Sequence, residues 1–367
     1  MTQVRHVLGI SGGKDSAALA VYLFQKYPQL PVDYYTCDTG KELDETYQLL
    51  DVLQSYLGKP FTVLRAAKDS PEDAFDHYLK LYGGFLPSSE ARWCTKKLKL
   101  EPFERYIGSD PVVSYVGIRA DEDREGYISH KPNVQSIFPF RKNIWSEDVI
   151  GKFLSNANLD LAQSLLADVS VGNKQQRLVK LLAKRLDSGF SQQTKLSQLL
   201  DVGVREFNQL VYRFLKTTAY PLALAEDFPL LDNDEELILD DIYTLLTESG
   251  VGIPAYYNKV DFEVGKKQGQ YARSRSGCFF CFFQQKIEWV WLLENHPVRF
   301  EKAMEYEDEK AGFTWNQNES LRELMQPERV ESIKEEYLGR KKGNNQSNFL
   351  LDILGDEEAE GCAACFI

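Results

Sequence analysis

Val4-Arg-His-Val-Leu-Gly-Ile10, then Ser11-Gly-Gly-Lys-Asp-Ser16, then Ala17-Ala-Leu-Ala-Val-Tyr-Leu-Phe-Gln-Lys-Tyr27 is the stretch that decides the fold. The apolar run reads as a strand and Asp15–Tyr27 as a helix, joined at two adjacent glycines. Glycines there let the backbone turn tightly and approach a ligand without a Cβ clash. The helix start offers unpaired N–H groups and the positive end of the helix dipole to phosphate oxygens. Ser11 and Ser16 add hydroxyls, and Lys14 adds charge. Neither standard nucleotide signature fits: Gly9 and Gly13 are one residue too close for G-x-x-x-x-G-K-[ST], Asp15 follows Lys14, and G-x-G-x-x-G is absent. The competing reading is an ordinary glycine-rich strand-to-helix turn.

Outward from this loop the pattern alternates. Strands are expected at Val32–Cys37, Phe61–Ala66, Val112–Ile118 and Val134–Phe140, with helices at Glu42–Leu57, Glu72–Leu81 and Thr95–Ile107. Short β-rich runs separated by helices require crossovers, hence an α/β fold: a mostly parallel, Rossmann-like sheet with helices on both faces. From about Gly151 to Gly250 the pattern becomes nearly all helical. Residues 171–216 hold nine Lys/Arg against three Asp/Glu, whereas 217–249 hold nine Asp/Glu and no Lys or Arg. Within it, Lys195–Lys216 reads as helix, Gly-containing turn, helix. That is either an ordinary helical hairpin or a DNA-binding helix-turn-helix. The last ~110 residues read as helical and acidic, with a mobile stretch at Gly343–Ser347, a short helix at Phe349–Leu354 and a tail.

With 43% apolar and 27% charged residues in 367, the composition is that of a globular protein and excludes collagen-like, disordered and disulfide-scaffold classes. No run approaches a transmembrane helix and the start shows no secretory h-region, which predicts a cytoplasmic protein without membrane attachment. The net charge of −12 argues against binding nucleic acid by bulk charge but leaves local basic patches open. The six cysteines include two C-x-x-C pairs, Cys278/Cys281 and Cys362/Cys365, beside Cys37 and Cys94. In a reducing compartment such spacing suits metal or redox chemistry better than structural disulfides. Basic residues (Arg92, Lys96, Lys97, Lys99, Lys266, Lys267, Arg273, Arg275) flank the same segments and suit an anionic substrate.

Ser-Gly-Gly-x-Asp-Ser after a first strand resembles the pyrophosphate (PP) loop of the adenine-nucleotide α-hydrolase superfamily. Further stretches resemble its phosphoadenylyl-sulfate (PAPS) reductase branch. Cys37-Asp38-Thr39-Gly40 through Glu45-Thr46 is similar to D-T-G-x-x-x-x-E-T, and Gly117-Ile118-Arg119 to the start of G-x-R-x-x-E-S-x-x-R, although the Ser is lacking and Arg124 is displaced. Trp145-Ser-Glu-Asp-Val149 resembles W-S-x-x-D-V, whose usual continuation appears only at Ile253-Pro-Ala-Tyr-Tyr257. The resemblance therefore implies a nucleotide-binding core at 1–155 and 250–300, an inserted helical subdomain at 156–249 and a helical C-terminal extension at 301–367. It implies ATP, with Mg²⁺ on its phosphates, held by Ser11, Gly12, Gly13, Lys14, Asp15, Ser16, Asp38, Thr39 and Gly40. The residues it assigns to catalysis are Ser11, Lys14, Asp15, Ser16, Asp38 and Arg119, the last as a bidentate clamp on phosphate or sulfate.

Arg92-Trp-Cys94 through Leu98-Lys99 and Gly277-Cys278-Phe-Phe-Cys281 resemble the two segments that surround a [4Fe–4S] centre in cluster-bearing members. The resemblance implies a cluster on Cys94, Cys278 and Cys281, with Cys365, Cys362, Cys37 or an open iron position as the fourth site. Zinc ranks second and a redox dithiol third. The chain looks most like the sulfur-transfer ATP pyrophosphatase of bacterial DNA phosphorothioation, a phage-defence modification. Its implied partners are a cysteine desulfurase, DNA and the other phosphorothioation proteins, with homo-oligomerisation left open. The alternative is an adenylyl-sulfate or PAPS reductase making sulfite with thioredoxin. Those enzymes end in Glu-Cys-Gly-x-His, which the tail Glu360-Gly-Cys-Ala-Ala-Cys-Phe-Ile367 lacks. A non-enzymatic nucleotide-binding subunit is the third reading.

Overall fold

Short apolar strands separated by helices can pair in one sheet only through crossovers, and the five N-terminal strands do so. The computed structural model of the chain describes residues 4–122, 131–167, 169, 172–317 and 319–344. Strands β1 (Arg5–Gly9), β2 (Val32–Asp38), β3 (Thr62–Arg65), β4 (Val112–Tyr115) and β5 (Val134–Ile137) form a sheet in the order β3-β2-β1-β4-β5. Pairing is parallel, with Val7 opposite Ser114, Ser114 opposite Ser136 and Cys37 opposite Leu64. The first crossover helix, α1 (Lys14–Lys26), is buried from Lys14 through Leu23. Ala17, Ala18 and Ala20 keep its first turns narrow enough for that. Helices α2 (Asp44–Leu57), α3 (Ala74–Leu81), α4 (Trp93–Thr95) and α5 (Glu101–Ile107) follow in turn.

Three local expectations change. The helix expected over Thr95–Ile107 is interrupted by a π-helical turn at Lys96–Leu100 between α4 and α5. Pro102 explains the wide turn: it has no N–H for the carbonyl four residues back, and its ring crowds that carbonyl. The strand expected to run to Phe140 ends at Ile137, because the chain reverses at Pro139; Phe138 N–H donates to the Ile144 carbonyl (2.9 Å). The last ~110 residues are not wholly helical. Val260–Val264 (β6) and Lys267–Tyr271 (β7) form an antiparallel hairpin. Strict alternation in Val-Asp-Phe-Glu-Val and a two-residue turn with Gly265 at φ 58° account for it. The helix expected at Phe349–Leu354 lies outside the described residues.

The chain divides into two compact units. One comprises Met1–Gly9, Ala18–Tyr34 and Ile107–Leu245. Its helices are α6 (Glu147–Phe153), α7 (Leu159–Leu166), α8 (Gln175–Ala183), α9 (Gln192–Val202), α10 (Val204–Leu215) and most of α11 (Leu239–Glu248). A buried polar chain fastens the helical stretch to the strand ends. Trp145 Nε1 donates to Asn208 Oδ1 (2.9 Å), Asn208 Nδ2 to the Asn233 carbonyl (3.1 Å), Asn233 Nδ2 to the Pro139 carbonyl (2.7 Å) and Tyr22 Oη to Asn233 Oδ1 (2.9 Å). Lys195–Lys216 forms helix, Gly203-containing turn, helix: Phe207, Leu210, Val211, Tyr212, Phe214 and Leu215 bury one face of α10, while Arg205 and Arg213 on its other side are exposed.

The other unit comprises Ile10–Ala17, Tyr35–Tyr106 and Leu246–Ile367. It holds α2–α5, the β6–β7 hairpin, α12 (Lys286–Asn295), α13 (Pro297–Glu305), α14 (Leu321–Leu324) and α15 (Pro327–Asn344). Its core is aromatic: Phe280 stacks on Trp315 at 4.8 Å and meets Phe75 at 4.4 Å, with Trp289 fully buried alongside. Such packing fixes the 275–283 segment against the loop that follows β2, and every glycine-loop contact described below lies inside this unit.

Candidate active site

Between β1 and α1 the chain must reverse within a few residues, and Gly12 does so at φ 77°. A Cβ there would lie 2.2 Å from Thr46 Cγ2, on the first turn of α2. At Gly13 a Cβ would meet Ser276 Oγ at 2.5 Å and Tyr257 Oη at 3.2 Å. Both glycines are therefore dictated by neighbours as well as by the turn. Ser16 holds the loop closed: its hydroxyl donates to the Gly13 carbonyl (3.2 Å), accepts from Ser11 N–H (3.2 Å) and lies 3.1 Å from Ser11 Oγ. Tyr256 Oη donates to the Gly12 carbonyl (2.8 Å). Lys14 Nζ lies 4.7 Å from the centre of the Tyr257 ring and 3.5 Å from Asp15. Burial holds the Tyr257 phenol well above its ordinary range, so it is neutral beside Lys14.

The end of β2 completes one wall. Asp38 accepts from Gly40 N–H (2.9 Å), Tyr47 Oη (3.1 Å) and Arg65 Nε (2.9 Å), so here its carboxylate orients the turn. Thr39 Oγ1 donates to Glu42 Oε1 (2.6 Å), and burial raises the Glu42 pKa against the bonds from Thr39 and Tyr47 that lower it. Lys41 points away from this wall and is clamped by Asp73 (2.9 Å) and Asp76 (2.8 Å). A cavity of about 180 Å³ opens beside Ser11, walled by Cys37, Asp38, Thr46, Tyr47 and Arg65.

Cys94, Cys278 and Cys281 line a second, smaller cavity of about 50 Å³, walled by Phe75, Phe280, Phe282 and Phe283. Cys278 Sγ lies 3.2 Å from Thr39 Oγ1, and Glu42 bridges to Cys278 in antiparallel fashion, so the thiol pocket abuts the loop after β2. Burial, then the nearby Glu42 carboxylate, keeps the Cys278 thiol protonated. The donors are soft, as a cluster requires. Among the described residues no three His, Cys, Asp or Glu side chains group to hold a metal ion, and a cluster on these three thiols is not shown. Cys365 and Cys362 lie outside the described residues.

Cys37, an alternative fourth ligand, lines the other cavity and directs its thiol to the Lys99 carbonyl (3.8 Å). Burial pushes its pKa up to about 12. A raised thiol pKa leaves less thiolate, and so less reactivity, at any pH below it. Cys37 in the folded protein should alkylate on the order of 10³-fold more slowly at pH 8 than after denaturation, its rate rising about tenfold per pH unit. Mass spectrometry after iodoacetamide pulses checks this; equal labelling before and after denaturation would contradict the burial.

Arg119 belongs to the other unit, where its buried guanidinium is held by Asp121 (2.9 Å) and Glu122 (3.2 Å). Arg141 Nη2 donates to the Glu122 carbonyl (2.7 Å). Arg124 lies outside the described residues. Sequence reading had no role for Thr46, Tyr256, Tyr257 and Ser276 beyond membership of short motifs. The signal for Thr46, Tyr256 and Tyr257 was present in E-T and I-P-x-Y-Y, and Ser276 directly precedes Gly277-Cys278, but only folding brings the four onto the glycine pair.

A family model described as phosphoadenosine phosphosulfate reductase domain matches residues 5–160. An uncharacterized protein of Methanocaldococcus jannaschii is 29% identical over 38% of this chain and 30% of its own length. The tRNA-specific 2-thiouridylase MnmA of Proteus mirabilis is 22% identical over 61% of this chain and 60% of its own. The same-named protein of Aeromonas salmonicida is 21% identical over 81% of each. The chain thus spans under a third of the first relative and about three-fifths of the second. Among solved structures, a PAPS reductase of Candida auris in a phosphate complex aligns with TM-score 0.30 and 17% identity, over 40% of this chain and 68% of that one. Together the family model and the sequence relatives support the PP-loop superfamily, and residues 5–160 hold a PAPS reductase-like nucleotide-binding domain.

Proposed function

We propose that this chain is an ATP pyrophosphatase that adenylylates a non-bridging oxygen of a DNA backbone phosphate, preparing that oxygen for replacement by sulfur. The observation that carries the reading is the Ser11–Ser16 loop, built at a helix N-terminus with Lys14 and two hydroxyls, beside a pocket lined by three thiols. A helix start of this kind stabilises the charge of a departing pyrophosphate. In the proposed step a phosphate oxygen of DNA bonds to the α-phosphorus of ATP and the α–β bridging bond breaks. Pyrophosphate leaves with Mg²⁺, and AMP remains on the activated phosphate. Sulfur, passed as a persulfide from a cysteine desulfurase to a thiol of the pocket, then displaces AMP. A neighbouring thiol attacks the pocket sulfur of the resulting P–S–S link, releasing the phosphorothioate and leaving a disulfide between the two cysteines that an external thiol reduces.

In a second reading, consistent with the description of the matching family but not singled out by it, the same loop holds an adenylyl sulfate and the product is sulfite. One experiment separates the two: anaerobic incubation with ATP, Mg²⁺ and duplex DNA, reading AMP and pyrophosphate, beside a sulfite assay with adenylyl sulfates and thioredoxin. Equimolar AMP and pyrophosphate, dependent on DNA and without sulfite, is the expected result. Sulfite without ATP cleavage would replace the proposal with the reductase. Cleavage stimulated by tRNA and not by DNA would overturn the DNA assignment while keeping the pyrophosphatase.

A further inference from the structure

We propose that a cleft on the helical stretch of the first unit, between α8 and α9, seats the phosphate backbone of duplex DNA; this rests on the reading of DNA as substrate. Arg177, Lys180, Leu181, Lys184, Gln198 and Asp201 line a cavity of about 420 Å³. Arg177, Lys180 and Lys184 stand at i, i+3 and i+7, within roughly a 60° sector of one helix face. They extend about 10 Å along the axis, which spans about three phosphates at 3.4 Å per strand step.

These cations differ from the others nearby. Lys142, Lys174 and Arg205 are each committed to a carboxylate, namely Asp201 (3.1 Å), Glu206 (2.6 Å) and Asp234 (3.1 Å). Arg177, Lys180, Lys184 and the adjacent Arg185 are exposed, and among the described residues none of them forms an ion pair; α8 itself, Gln-Gln-Arg-Leu-Val-Lys-Leu-Leu-Ala, carries no acidic residue. Asp201, the one carboxylate of the cleft, is already engaged by Lys142. Lys195 makes the arrangement stiff: its buried ammonium donates to the carbonyls of Leu182 (3.0 Å) and Lys184 (2.7 Å), fixing the end of α8 from α9. Lys184 also rests over the Phe190 ring (3.5 Å). No aromatic side chain lines the cleft on which an unpaired base would stack, which favours the backbone of a duplex over a single strand.

The test is fluorescence anisotropy of the full chain with a 20-base-pair duplex over a salt series. Each phosphate contact contributes about 0.9 to the slope of log K against log salt. Arg177→Gln/Lys180→Gln/Lys184→Gln should lower affinity at least ~10-fold near 0.1 M salt and flatten the slope by about 2 to 3. Circular dichroism and ATP binding of that variant should match the parent, because the cleft holds no residue of the glycine loop. Gln198→Lys, which adds a cation to the cleft without removing a contact, should tighten binding several-fold at low salt. Unchanged affinity and slope in both variants would overturn the proposal, as would parent protein that binds structured RNA of equal charge more tightly than the duplex. A parent that never cleaves ATP, yet shows the expected salt slopes, would remove the pyrophosphatase reading and leave this surface standing.

Discussion

Gly12→Ala should reduce ATP cleavage to AMP and pyrophosphate by at least ~10²–10³-fold while the chain still folds. Two effects add. Alanine at φ 77° takes a left-handed conformation that costs a residue with a Cβ about 1–2 kcal/mol. The new Cβ would also stand 2.2 Å from Thr46 Cγ2, inside any real contact distance. Relief requires the loop to move away from α2, which carries the Gly12 carbonyl off Tyr256 Oη and displaces the Ser11 and Ser16 hydroxyls. A shift of about 1 Å in groups that position a reacting phosphate is worth about 10²-fold in rate. Thr46→Ser removes the clashing methyl but not the backbone strain, so Gly12→Ala/Thr46→Ser should recover part of the activity. A Gly12→Ala enzyme within about fivefold of the parent would show that the glycine loop is not where ATP is cleaved.

Cys278→Ser should separate the two halves of the proposed reaction. The substitution replaces sulfur by oxygen beside Thr39 with little change of shape, so the glycine loop should keep its geometry and AMP release should stay within about threefold. Sulfur incorporation into DNA, read by mass spectrometry after nuclease digestion, should fall at least ~100-fold, because the pocket loses the thiol that contacts Thr39 in the loop after β2. Equal loss of AMP release and sulfur incorporation would instead make Cys278 a support for the loop. The measurement should be anaerobic, since neighbouring thiols oxidise readily once exposed.

Much of this arrangement was legible from residue patterns. The order apolar run, Gly-Gly, amphipathic run fixed β1, the turn and α1 within a residue or two, and the β2 and α2 boundaries followed from the same alternation. Departures fell where one residue altered the backbone locally, as Pro102 does in widening the turn before α5 and Pro139 in ending β5. The β6–β7 hairpin was hidden inside a stretch whose acidic, helical surroundings dominated the reading, although Val-Asp-Phe-Glu-Val alternates strictly. The thiols were identified by spacing, but spacing could not say that Cys37 would face Lys99 while Cys94, Cys278 and Cys281 shared one pocket. That distinction depends on the aromatic packing of Phe75, Phe280 and Trp315, which no local period encodes.

The bond from Tyr256 to the Gly12 carbonyl joins residues 244 positions apart. On a ribosome adding roughly 5–20 residues per second, roughly 12–50 s separate the emergence of Gly12 from that of its partner. Tyr257 and Ser276, which pack against Gly13, arrive later still. The nascent chain therefore makes its nucleotide loop first and finishes it near the end, so a product interrupted at residue 160 would carry every loop residue and still lack the groups that set their geometry.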